Sequence, residues 1–165
     1  MADLAVHPVA DLFPMLADDE LRELADSIKE HGLDQPVVLD AEGRVLDGRN
    51  RLAACKLARV EPRFETYSGD DADDYALRSG IVRRHLSTGA RAMIAAEAAR
   101  LTGVTKSGQS RELEISRNRI AEAAIVLDWA PDFAPAVVAG AMPLSKAVEH
   151  ARERKRESEA LDAKM

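Results

Sequence analysis

Cysteine is almost missing from this chain of 165 residues: there is one, Cys55. A lone thiol forms no intramolecular disulfide, and its isolation excludes the zinc modules built on four cysteines. Long apolar runs are missing too. None reaches the roughly 18 residues that a membrane-spanning helix needs. The N-terminus, MADLAVHPVADLF, lacks a basic stretch followed by an apolar one, so no secretory signal is expected. These absences point to a reducing cytoplasm and to no membrane partner. Internal repeats are absent. His7, His31 and His150 lie far apart with no metal-ligand spacing, so no metal site is expected and the three read as structural.

What is present is an ordinary globular balance, with 46% apolar and 32% charged residues. That excludes a wholly disordered or collagen-like chain. The length suits one compact domain or two small ones. The charge is uneven: residues 1–82 hold 9 Lys/Arg against 18 Asp/Glu, a net of −9, and residues 83–165 hold 14 against 11, a net of +3. Between Arg83 and Arg119 eight basic residues face three acidic ones. A basic stretch in an acidic chain is either an anion-binding face or a solvated helix surface.

The first half reads as mixed α/β. Asp18 and Asp19 would cap a helix with Leu21, Leu24, Ala25 and Ile28 on one face, and Gly32 would stop it. Pro36–Leu39 and Arg44–Leu46 read as a hairpin around the turn Asp40–Gly43. A helix from Arg49 to Leu57 opens directly after Gly48, and Pro62–Tyr67 reads as another strand. Asp70 to Asp74 reads as an acidic helix start, solvated or able to hold a cation. The second half reads as helical. Ser87 or Thr88 would cap a helix from Arg91 to Leu101. Ser116 would cap Arg117 to about Trp129, with Ile120, Ala124 and Leu127 inward. Trp129 and Phe133 read as helix-end packing, and a last helix runs from Leu144 to about Ala160.

The segment Val45–Leu52 sets a glycine between a strand and a helix. Unpaired N–H groups at that helix start, together with the helix dipole, favour an anion such as phosphate. Arg49 and Arg51 could add bidentate contacts. Equally, Asp47 could pair with one of these arginines while Gly48 merely makes the turn.

The run DELRELADSIKEHGLDQPVVL, then the hairpin, then DGRNRLAACKLA, then RRHL, resembles the ParB/sulfiredoxin fold. More closely it resembles the N-terminal domain of ParB-type chromosome and plasmid partition proteins, over about residues 5–100 and more weakly to about 150. Gly48-Arg49-Asn50-Arg51 falls where ParB proteins carry glycine, glutamate and two arginines that bind nucleotide phosphates. Arg51 matches the second arginine, Asn50 stands for the first, and Arg49 for the glutamate. A second ParB motif, glutamate-asparagine-x-x-arginine, falls on Ser79-Gly80-Ile81-Val82-Arg83 and keeps only the arginine. The resemblance therefore implies a phosphate-binding set of Gly48, Arg49, Asn50, Arg51, Arg83 and Arg84, holding CTP or another nucleotide, with Gln35 and Pro36 near its base. The glutamate and asparagine are linked to magnesium and hydrolysis in ParB. Glycine offers no side-chain oxygen to a hard cation, so binding without efficient turnover is the expectation. His85 beside Arg83 and Arg84 would contact phosphate or position its neighbours. Sulfiredoxin itself is set aside, because it needs a cysteine where Arg49 stands.

Ser110 to Ile120 has a helix-turn-helix rhythm, covering about residues 109–128. Ile115 would plug the turn and Ser116 would cap the second helix. Arg117, Asn118 and Arg119 would then project where recognition helices meet the major groove. Lys106, Ser107, Ser110 and Arg111 would add phosphate contacts. The alternative is an ordinary capped helix with a charged first turn. ParB proteins carry a helix-turn-helix at this place, and LSTGARAMIAAEAARL resembles their linking helix.

The expectation is thus an α+β chain: a ParB/sulfiredoxin-like α/β domain over residues 1–86, then an all-helical DNA-binding domain over residues 87–165. By resemblance it is a cytoplasmic, nucleoid- or plasmid-associated protein of plasmid, phage or chromosome partition. Its implied partners are double-stranded DNA, a second copy as homodimer, and a partition ATPase. ParB proteins usually carry a further dimerisation domain, so a shortened or short plasmid- or phage-type relative is expected. Two other functions remain open. One is a helix-turn-helix transcriptional regulator. The other is a nuclease or phosphotransfer enzyme, with Asp47 as the carboxylate beside the arginines and weak CTPase or nuclease activity as its trace.

Overall fold

Strong helix signals at both ends of residues 18–31 frame the first unit. A computed structural model describes residues 4–82, 86–103 and 115–163. Among these are eight α-helices, one 3-10 turn and a three-stranded sheet. The chain divides into two compact units, residues 1–80 and 81–165.

In the first unit a short helix α1 (Pro8–Asp11) precedes α2 (Asp18–His31). Ala17, not Asp18 or Asp19, is the N-cap of α2, and its N–H donates to Glu20 Oε2 at 3.1 Å. Asp18 and Asp19 instead lie in the first turn, where their charge opposes the positive end of the helix dipole. Gly32, at φ 82°, ends the helix. The face expected from the sequence is the one that packs. Ala25 and Ile28, flanked by Leu21 and Leu24, meet Ala54 and Cys55 of α3 (Arg49–Ala58) in one core cluster. Burial of each large aliphatic group there contributes about 1.5–3 kcal/mol.

Strands β1 (Val37–Leu39) and β2 (Val45–Asp47) form the expected antiparallel hairpin, and β3 (Phe64–Thr66) pairs parallel with β1, giving the order β2-β1-β3. Asp40 builds the turn. Its Oδ1 accepts from the N–H of Glu42 and of Arg44 at 3.0 and 2.7 Å, and its Oδ2 accepts from Arg44 Nε at 2.6 Å. A second core cluster joins Val37 and Val45 to Leu52 of α3. Helix α4 (Ala72–Val82) starts where Asp71 Oδ1 accepts from the N–H of Asp74 at 2.9 Å. Asp74 also takes Arg78 Nε at 2.7 Å. His7 is buried, with Nε2 at 3.6 Å from Asp73 Oδ1. Among the described residues no group of His, Cys, Asp and Glu is placed to hold a metal ion.

The second unit is helical. Ser87 caps α5 (Thr88–Thr102) by accepting from the N–H of Ala90 at 3.1 Å. Its many alanines let neighbouring helices approach closely, and a Cβ on Gly89 would meet Leu144 Cβ at 3.0 Å. Helix α6 (Arg117–Trp129) packs against both α5 and α8 (Leu144–Asp162). Between α6 and α8 lie the 3-10 turn Pro131–Phe133 and α7 (Ala134–Val138). The buried face of α6 is Ala123, Val126 and Leu127, while Ile120 and Ala124 are half-buried. Packing on two sides widens the buried stripe beyond the single face read from the sequence. Phe133 stacks on His150 with ring centres 5.1 Å apart and lies under Arg154, whose guanidinium pairs with Asp132. Among the described residues no helix is long and apolar enough to cross a membrane.

Candidate functional site

The turn from β2 into α3 carries the densest set of candidate residues. Gly48 is the N-cap of α3 at φ 97°, a left-handed conformation that suits glycine, and no side chain caps the helix. The first N–H groups of α3 therefore have no helical partner. Beside them lies the Arg51 guanidinium: a Cβ on Gly48 would stand 2.9 Å from its Nη2. Arg51 Nη2 donates to the Pro36 carbonyl at 3.0 Å and to Asp47 Oδ2 at 3.3 Å. Its Nε is buried with no hydrogen-bond partner among the described residues. A buried donor without an acceptor costs about 1–3 kcal/mol, which an anion at this turn would relieve. The pairing of Asp47 with an arginine expected from the sequence is present, and the turn keeps donors suited to phosphate.

Arg49 and Asn50 face a different way. Arg49 Nη1 donates to the carbonyls of Ala10 and Phe13 at 2.9 and 3.0 Å, and its Nη2 pairs with Asp11 Oδ1 at 2.8 Å. Asn50 Oδ1 accepts from the N–H of Leu16 at 3.1 Å. These two side chains suture the first turn of α3 to residues 10–16. The sequence carried no sign of this role, because backbone carbonyls have no residue signature. Arg83, Arg84 and His85 lie outside the described residues.

In the second unit Ile115 is 3% exposed, and the turn before it lies outside the described residues. Ser116 sits at the N-cap of α6 with extended backbone, yet its hydroxyl makes no capping bond. Arg117, Asn118 and Arg119 are all exposed on the first turn. Arg119 Nη1 reaches Glu122 Oε2 at 3.1 Å, and Arg117 also holds a contact within the chain. This first turn contains no acidic residue. Cations at the positive end of a helix dipole are unfavourable for the isolated chain and become favourable once an anion arrives. Lys106, Ser107, Ser110 and Arg111 lie outside the described residues.

Comparison with known proteins shows what this chain is similar to. Residues 1–62 match the ParB N-terminal domain family. A stretch of 42 residues is 48% identical to the probable chromosome-partitioning protein ParB of Rickettsia felis, covering 26% of this chain and 15% of that protein. The chain therefore spans only a small part of the length of the curated relatives it matches. In structure, the chain is similar to a C-terminally truncated chromosome-partitioning protein ParB of Caulobacter crescentus complexed to the centromeric parS site. The TM-score is 0.52 at 16% identity, over 94% of this chain and 97% of that one. It is similar also to a Pnob8-like ParB-N domain, with a TM-score of 0.54 at 19% identity, over 96% of this chain and 79% of the other. The α+β fold is thus that of ParB structures.

Proposed function

We propose that this chain, ParB-like in its first 62 residues and in its fold, is a DNA-binding partition protein that also holds a nucleotide. The observation that carries the reading is the first turn of α6. It exposes Arg117, Asn118 and Arg119 at a helix N-terminus whose first turn holds no acidic residue, with Glu122 one turn on reaching Arg119. Arginine pairs with guanine and asparagine with adenine in the major groove. In this reading residues 87–165 form the DNA-binding domain, with a helix-turn-helix over about 109–128. Lys106, Ser110, Arg111 and Ser116 join its phosphate contacts. Residues 1–86 form the nucleotide domain, with Gly48, Arg51 and the α3 N–H groups on the phosphates and Arg83 and Arg84 completing the set. Arg49 and Asn50 position the turn from behind. CTP is the first ligand to try. Asp47 already accepts from Arg51, which supports binding over turnover. A homodimer on DNA, a partition ATPase as partner and residence on nucleoid or plasmid belong to the same proposal.

The test is fluorescence anisotropy of labelled duplex DNA across a salt series, with and without CTP. Binding that falls steeply with salt and is lost in Arg117→Ala/Arg119→Ala supports the interface, since counterion release sets the slope. Absence of binding at about 50 mM salt overturns it. A CTP effect on affinity, lost in Gly48→Ala, supports the coupled nucleotide site.

A further inference from the structure

Residues 1–82 carry nine lysines and arginines. Six are engaged. Arg44 holds Asp40 and Glu42, Arg49 holds Asp11, and Arg51 holds Asp47. Arg63 donates to the carbonyls of Leu33 and Asp34, Arg78 pairs with Asp74, and Lys56 holds a contact of its own. The charged side chains of the other three, Arg22, Lys29 and Arg59, have no hydrogen-bond or ion-pair partner among the described residues. All three line one groove of about 680 Å³ between α2 and the C-terminal end of α3. Asp26 lies among them at the three- and four-residue spacings that allow helical ion pairs, yet pairs with neither Arg22 nor Lys29.

Two further features belong to the groove. Leu57, on its rim, is 56% exposed. Arg59 ends α3 at φ 58°, the sole described non-glycine residue in the left-handed region. Helix ends of this kind favour glycine. An arginine here holds a strained backbone and presents its charge beside two other unpaired cations. Strain of this sort gathers where a residue serves something other than the fold.

We propose that the α2–α3 groove docks a short acidic peptide segment of a partner protein. Two or three of its carboxylates would meet Arg22, Lys29 and Arg59, and one apolar side chain would pack on Leu57 and Ala58. The surrounding charge selects this occupant over nucleic acid. Residues 1–82 carry a net −9, which repels a polyphosphate chain at long range. A peptide is short enough to feel chiefly the local cations, within a Debye length of about 8–10 Å. The groove lies wholly in the first unit and shares no residue with the Gly48 turn.

The experiment uses the full chain and a labelled helical peptide of glutamates with leucines at helical spacing. A lysine-for-glutamate peptide and labelled duplex DNA serve as comparators. The glutamate peptide is expected to bind roughly tenfold tighter than the lysine peptide. Arg22→Glu/Lys29→Glu, at exposed positions, is expected to reverse that preference. Arg59→Gly is expected to keep or raise the melting temperature while weakening the glutamate peptide roughly threefold or more. Equal binding of the two peptides overturns the proposal, as does undiminished binding by Arg59→Gly. DNA that displaces the peptide and is itself lost in Arg22→Glu/Lys29→Glu assigns the groove to a polyphosphate. Self-association abolished by the same variant assigns it to a second copy. Either result also overturns the proposal.

Discussion

Phe13 occupies the space that Gly80 leaves open: a Cβ on Gly80 would lie 2.3 Å from the Phe13 ring. The ring is 3% exposed, and the carbonyl of the same residue accepts from Arg49. By the resemblance read from the sequence, position 80 falls where ParB proteins carry asparagine. With Phe13 in place that side chain has no room, so the glycine at 80 and the ring at 13 form a matched pair.

Gly80→Ala is therefore expected to destabilise the chain by about 1–3 kcal/mol, through overpacking against a ring that cannot withdraw. Urea denaturation measures it. Phe13→Leu in the alanine background should recover part of the loss. If the two changes simply add, the matched pair is refuted.

Gly48→Ala meets two obstacles. Its φ of 97° disfavours a side chain, and the new Cβ would press on the Arg51 guanidinium. A cost of about 1–2 kcal/mol follows from the backbone alone. In a thermal-shift titration with CTP, the parent protein should gain stability and Gly48→Ala should gain none. An equal gain in both would remove the turn from the binding site.

Asp40 should leave a mark on the acid limb of the stability curve. Burial raises its carboxyl pKa. The Arg44 N–H, the Arg44 guanidinium and the Glu42 N–H outweigh this and hold it below the usual value. A group depressed in the folded state stabilises the fold above its unfolded pKa of about 3.9, and that contribution disappears as pH falls through the folded value. Asp40→Asn should cost about 1–3 kcal/mol at neutral pH and flatten the loss of stability below about pH 4. Chemical denaturation at several pH values checks both. An unchanged acid limb would exclude Asp40 as its source.

Cys55 is fully buried, and burial raises its thiol pKa, partly opposed by the charge of Arg51. A disulfide reagent at pH 8 should leave the folded chain unmodified. It should react at a rate that follows unfolding as urea is added. Rapid labelling of the native protein would show that the α2–α3 core opens.

Some of this was readable from residue order and some could not be. The hairpin was legible because Asp40-Ala41-Glu42-Gly43 has turn chemistry of its own. The start of α3 was legible because glycine stands between a strand and a helix pattern. The α2 face followed from periodicity alone. By contrast, α1 spans four residues, too few for any period to emerge. Ala17 became the cap because Glu20 reaches back to its N–H, so one side chain overrode the usual preference for aspartate. At the Gly48 turn the residues were identifiable but their directions were not. Arg49 reaches carbonyls 36 and 39 residues upstream, and nothing in the sequence marks a carbonyl as a partner. The burial of Arg51 Nε without an acceptor is likewise a fact of packing.

Strand β1 pairs with neighbours of opposite kinds: β2 across a tight turn, and β3 only after the whole of α3 has crossed over. Loop closure makes the first pairing quick and the second slow. The hairpin and the Gly48 turn at its end thus belong to an early, local folding event. β3 joins last, at a sheet edge where every residue is exposed. In hydrogen exchange the amides of β2 should outlast those of β3, leaving the turn into α3 framed by the slowest-opening part of the sheet.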